Sequence, residues 1–237
     1  HMGCLFAKGE FPVDYATVLT VAKCKDALMA GFTTFRDAGS VSEGLKLAFD
    51  EGVLPGPRIY PCGAYISQTC GHGDSEYAHT YRDIQYRHPS STVLADGVPE
   101  IIRAVREQFY RGASHIKLMA TEILNRHEDI RLLFGTDMMI TGPDYQVEQS
   151  EDIRYYEKRF GTMRALRALT GTANEVFALT TYQNPYPKGK IGVLEAGSYA
   201  DLLLVDGDPT KRVSVLADTD HLRLIMKGGT VYKNTLC

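Results

Sequence analysis

No stretch of this 237-residue sequence contains the roughly 20 consecutive apolar residues that cross a bilayer. Nor does a basic segment followed by an apolar run mark a secretory leader. Neither sign of charge is in excess: 26 Lys and Arg face 29 Asp and Glu, a formal net charge of -3. Phosphate binding normally leaves a basic patch, so nucleic acid is not an expected partner, and neither is a membrane. The five cysteines, at 4, 24, 62, 70 and 237, are odd in number and form no C-x-x-C. A chain this long can bury a core without disulfides, so a reducing compartment, by default the cytoplasm, is expected. The opening His1-Met2 resembles the remnant of a cleaved tag and is set aside.

Several enzyme signatures are missing as well. There is no G-x-G-x-x-G after a strand, no P-loop and no G-x-S-x-G elbow. The seven histidines form no H-x-H, H-x-x-E-H or H-E-x-x-H, so spacing alone supports no zinc signature. Cys62 and Cys70 read as incidental thiols rather than nucleophiles.

What is present is a βα alternation. Residues 14–30 read as a helix with Val18, Val21, Ala22, Lys25, Leu28 and Met29 on one face and Gly31 as its C-cap. A strand at Phe32–Phe35 leads to Asp37. A short helix capped by Ser40 or Ser42 runs to Phe49, and a second strand covers Arg58–Cys62. Residues 63–96 show no period and read as one long loop of the kind that often carries function. A helical stripe at Val98, Ile101, Ile102, Val105 and Phe109 stops at Gly112. Strand candidates follow at Ser114–Ala120 and Ile130–Phe134, the latter ending in Gly135-Thr136-Asp137.

This order predicts a parallel α/β fold with its chemistry at the C-terminal ends of the strands. Helices are expected at 150–160, 162–170 and 172–179. From Gly189 the chain turns β-rich, with strands at 192–194, 201–205, 222–226 and 230–232.

Three positions stand out chemically. Lys117 lies in an apolar strand, where an ammonium is costly to bury. It is a snorkelling or edge-strand lysine, a Schiff-base or general-base lysine, or one converted by CO2 to a carbamate whose oxygens suit divalent metals. Asp137 sits at a strand's rim, as a turn or capping residue or as a metal ligand and proton acceptor. His72 and Asp74, two apart in a glycine-rich loop, are either an incidental pair of a common kind or two groups that reach one ligand. His115 should share the face of Lys117 if the strand is regular. The tyrosines around 77–86 and 145–156 suit a pocket or a homo-oligomer face.

These stretches resemble the amidohydrolase superfamily, in its imidazolonepropionase-like and prolidase-like branch. The resemblance rests on Ala30 to Gly39, Gly56 to Ile59, Gly71 to Asp74, Gly112 to Lys117, Gly135 to Asp137, Ala200 to Pro209 and Met226 to Gly229, in that order. It implies a distorted (β/α)8 barrel with a small β-sandwich, and one or two divalent metals, usually zinc. It also implies hydrolysis of a C–N bond in a cyclic amide or dipeptide. Lys117 then matches the carboxylated, metal-bridging lysine, and Asp137 the metal ligand that handles the proton of the attacking water. His72 is a substrate-pocket residue, and Asp37 is structural.

The sequence also departs from that pattern. The family's first-strand His-x-His would fall shortly before residue 11. Only twelve residues separate Met119 from Leu132, where strands bearing further histidines are expected. The expectation is therefore a partial barrel over 3–188 with a β-sandwich remnant over 189–237. Its alternative function is that of a non-catalytic or degenerate relative with an incomplete metal site. Four strands cannot close an eight-stranded barrel, and a second copy of the chain is one way to cover the exposed edges.

Overall fold

The computed structural model describes residues 13–39, 43–71, 73–74, 92–119, 133–135 and 145–236. Helix α1 (Val13–Met29) ends as the glycine at 31 predicts. Gly31 takes φ 91°, its N–H bonds Leu28 O at 3.0 Å and the Phe32 N–H bonds Ala27 O at 3.0 Å. This is the paired-bond C-cap that needs a left-handed residue. The expected apolar face is not the buried one. Thr20, Lys23, Cys24, Ala27 and Leu28 are buried, whereas Val18 is 65% exposed and Ala22 and Lys25 lie outward. Apolar residues are spread around this helix, so periodicity alone does not select its inner side.

After α1 come β1 (Thr34–Arg36), α2 (Glu43–Asp50) and β2 (Arg58–Tyr60), with β1 parallel to β2 and Arg36 opposite Tyr60. The proposed caps Ser40 and Ser42 lie outside the described residues. Ile59 packs with Cys24, Ala27, Leu45 and Phe49 against the two helices. Arg58 and Tyr60 therefore point to the opposite face.

Residues 63–96 are not one loop. They contain β3 (Tyr65–Ser67) and β4 (Thr92–Leu94), which pair in parallel. A three-residue strand is too short to show a period, and all of β3 is buried, so it shows no alternation. Helix α3 (Val98–Tyr110) then leads to the segment 114–119. That segment bonds to the 58–67 run through Ser114 N to Pro61 O at 2.7 Å, Ile66 N to Lys117 O at 3.0 Å and Met119 N to Ile66 O at 3.0 Å. In a regular strand residues 61 and 66 would face opposite neighbours. The slip is absorbed at Gly63, φ 67°, and the freed Ala64 N–H is accepted by buried Gln108 Oε1 at 2.9 Å.

The result is a parallel array with the 58–67 run between β1 and the 114–119 segment. Among the described residues the parallel strands do not close into a barrel. The strand expected at Ile130–Phe134 falls mostly outside the described residues.

Helices α4 (Tyr145–Phe160), α5 (Thr162–Leu169) and α6 (Gly171–Ala178) follow close to the expected bounds. Glu157 of α4 holds the start of a short 3-10 turn at 213–217 by accepting from Val213 N at 2.8 Å and Ser214 N at 3.2 Å. Strands β5 (Leu202–Val205), β6 (Leu222–Lys227) and β7 (Thr230–Asn234) form an antiparallel sheet in that order. Gly192-Val193-Leu194, expected as a strand, is irregular chain. Leu28 packs on Leu222 and Ile225. Arg58 meets Asp201 in a two-oxygen ion pair, with Nη1 at 2.7 and 2.5 Å from the carboxylate oxygens. These contacts lock the C-terminal sheet to the parallel array.

Candidate functional site

Lys117 is placed by alternation. Ile116 packs with Ile66, Ala95 and Ala104 beneath α3, so Lys117 and His115 face the other side. The Lys117 ammonium is half-buried and lies 5.7 Å from the centre of the Tyr65 ring, a cation–π arrangement. His72 and Asp137, the other two expected site residues, lie outside the described residues.

The groups around Lys117 are already committed. His115 Nε2 lies 2.8 Å from Asp37 O, and its Nδ1 lies 3.1 Å from Ser114 Oγ. In a neutral ring Nε2–H donates to the carbonyl, which leaves Nδ1 as an acceptor facing the Ser114 hydroxyl, whose one proton is shared with Pro61 O at 3.0 Å. Burial and the nearby Arg36 charge hold the His115 pKa down to about 4, against an opposing hydrogen bond to Asp37.

Cys62, a fully buried residue, has its Sγ 3.8 Å from Asp37 Oδ2 and 3.3 Å from Gly63 O. Burial, and then the Asp37 charge, push this thiol well above the ordinary cysteine range, with Lys117 pulling the other way. Such a thiol is neither a nucleophile nor a ready ligand. Asp37 is 2% exposed and its N–H bonds Tyr60 O at 2.9 Å, in keeping with a structural residue.

A metal centre needs several deprotonated donors converging on one point. Among the described residues no three His, Cys, Asp or Glu side chains converge in that way. The described residues therefore do not fit a bridged metal pair.

Two cavities flank the array. One, of about 340 Å3, is lined by Arg36, Tyr60, Ser114, His115 and residues of α6 and the turn after it. The other, of about 440 Å3, is largely apolar and lies away from Lys117, between the start of β1, α4–α6 and the C-terminal sheet. Sequence reasoning missed Arg36, Tyr60 and the Arg58–Asp201 pair as site or framework residues. Their partners are distant in sequence and carry no local signal, apart from the stretches Gly56 to Ile59 and Ala200 to Pro209 that support the resemblance. No helix among the described residues is long and apolar enough to cross a membrane.

Comparison with known proteins fits this architecture. The structure is similar to that of an amidohydrolase, with TM-score 0.74 and 21% identity over 97% of this chain and 82% of the other. It is similar to a prolidase solved with N-methylphosphonate-L-proline, with TM-score 0.71 and 19% identity over 98% of this chain and 83% of the other. It also resembles the ochratoxinase of Aspergillus niger, with TM-score 0.71 and 18% identity over 100% of this chain and 81% of the other. In sequence, the A. niger ochratoxinase is 38% identical over 108 residues, 41% of this chain and 22% of the relative. The chain thus spans little more than a fifth of the length of the curated relatives it matches. The profile of the amidohydrolase family matches residues 4–128, more than half of the sequence, and the chain belongs to that family.

Proposed function

We propose that this chain is a degenerate amidohydrolase. It keeps the sheet sector that carries Lys117 and the C-terminal antiparallel layer, without a metal centre that can cleave an amide or peptide C–N bond. The observation that carries this reading is the commitment of the donors around Lys117. His115 Nε2 is spent on the Asp37 carbonyl and its Nδ1 faces the Ser114 hydroxyl, Cys62 is a buried protonated thiol, and no group of three ligands forms among the described residues.

A second reading is favoured by the placement of Lys117 on the inner face. In it the lysine is carboxylated and holds zinc with Asp137, which also handles the proton of the attacking water, His72 lines the substrate pocket, and the chain hydrolyses a cyclic amide or dipeptide. Under either reading residues 3–188 derive from the barrel and 189–237 form the appended β layer. The ligand is a small molecule or dipeptide, and a second copy is the candidate for covering the open parallel sheet. A reducing, cytoplasmic setting fits the three described cysteines, all of them free.

The test is hydrolysis of a panel of dipeptides, N-acyl amino acids and lactams by zinc- and bicarbonate-treated protein. The degenerate reading predicts no turnover above the buffer rate. Turnover that disappears both on chelation and in Lys117→Ala would establish the second reading instead.

A further inference from the structure

The cavity of about 440 Å3 is lined by Gly31 to Thr34, at the start of β1. The catalytic groups of parallel α/β folds stand at the other end, where the strands finish. Its walls come from three apolar clusters. Ile153 of α4 belongs to one, Phe177 and Ile191 to a second, and Leu222 with Leu203 to a third. Leu216 bridges the first and the third, and the cavity is the space left where all three face one another. Asp201 is the only ionisable residue among the described residues that line it. Its carboxylate is spent on Arg58 Nη1, at 2.7 and 2.5 Å, and on the Gly228 N–H at 2.8 Å. The Thr170 hydroxyl is spent too, donating to Leu166 O at 2.8 Å.

A wall of this kind offers dispersion contacts and no free counter-charge. Side chains around a void lack partners on one side, and an apolar body that fills the space supplies them. Water gains little there, because an apolar cavity gives it too few hydrogen bonds. A charged ligand would lose its hydration and find nothing to replace it. The volume lies in the range of small-molecule pockets, roughly 300–1,000 Å3, and exceeds what a single ring fills. We propose that this cavity is a binding site for a neutral, apolar small molecule of about two fused rings. The site acts by binding alone and does not depend on whether the chain hydrolyses anything.

Fluorescence titration of the full chain with the neutral dye N-phenyl-1-naphthylamine tests this. The dye should bind saturably at one equivalent, and naphthalene should displace it. The charged analogue 2-naphthoate should displace it roughly tenfold or more weakly, because the same rings then carry a carboxylate with no partner in the wall. Ala173→Phe, which places a ring in the cavity from α6, should abolish dye binding in a protein whose circular dichroism is unchanged. A measurement on the unaltered chain stands beside that variant. Naphthalene at about ten times its Kd should raise the Tm by roughly 3–5 °C, and 2-naphthoate at the same concentration should not. Absence of saturable dye binding, or equal displacement by naphthalene and 2-naphthoate, would overturn the proposal. So would dye binding that survives in folded Ala173→Phe, or an equal rise in Tm with both compounds.

Discussion

Asp201→Ala removes one half of the contact that ties the C-terminal sheet to the parallel array, and its cost can be worked from the geometry. Arg58 and Asp201 side chains are 7% and 8% exposed. The guanidinium also lies 4.2 Å from the centre of the Tyr199 ring, and Asp201 Oδ1 accepts the Gly228 N–H at 2.8 Å. Without the carboxylate, Arg58 is left buried and faces Lys227, whose pKa burial already lowers, with the Arg58 charge adding to the effect. Breaking a buried pair from one side costs about 3–5 kcal/mol, because the orphaned charge cannot recover its hydration. Urea unfolding followed by far-ultraviolet circular dichroism should show the midpoint falling by roughly 1–2 M with an unchanged slope. The double replacement Arg58→Met with Asp201→Leu should recover most of the loss, since a buried pair exchanged for apolar groups is close to neutral. A loss below about 1 kcal/mol for Asp201→Ala would refute the reasoning, since that is the value of a hydrated surface pair.

Three other changes follow from the same contacts. Gln108→Leu strips the Ala64 N–H of its acceptor at the Gly63 bulge, and should cost about 1–3 kcal/mol in the same urea assay. His115 is held down to about 4 from an ordinary 6.5, so below pH 6.5 the unfolded chain takes up a proton that the folded one refuses. Its contribution is complete above pH 6.5 and is lost between there and pH 4, on the order of 3 kcal/mol, which a pH series of urea midpoints with and without His115→Phe would resolve. Burial, and then the Asp37 charge, push Cys24 up to about 12 from 9.0. The unfolded thiol therefore ionises first, and stability should fall from pH 9 toward pH 12 by on the order of 4 kcal/mol, less so in Cys24→Ala.

Much of the scaffold is visible in the sequence, and the reasons differ by element. Helix α3 announces itself through its apolar stripe and the glycine at 112, and α4 and α5 are each followed by a glycine, at 161 and 171. Helix α1 does so too, but its inner face cannot be picked out, because Val18 and Ala22 are as apolar as the residues that are buried. Strands β3 and β4 are hidden because three residues carry no period and because β3 is buried on both sides. The orientation of Lys117 follows from its apolar neighbour Ile116. The state of its surroundings does not follow, because the His115 to Asp37 bond spans 78 residues and the Arg58 to Asp201 pair spans 143. Such contacts exist only once the strands are side by side, and the first of them decides whether His115 Nε2 is available to a metal. Of the three residues expected to form the site, Lys117 is described, and its immediate neighbours are already bonded to one another.

The most direct test of that account is the zinc content of the full chain, measured by elemental mass spectrometry after incubation with zinc and bicarbonate and removal of loosely held ions. A chain whose donors around Lys117 are committed elsewhere should retain well below one equivalent, with the same value in Lys117→Ala. About one equivalent or more in the wild-type protein, lost in Lys117→Ala, would contradict it and restore the metal-dependent hydrolase.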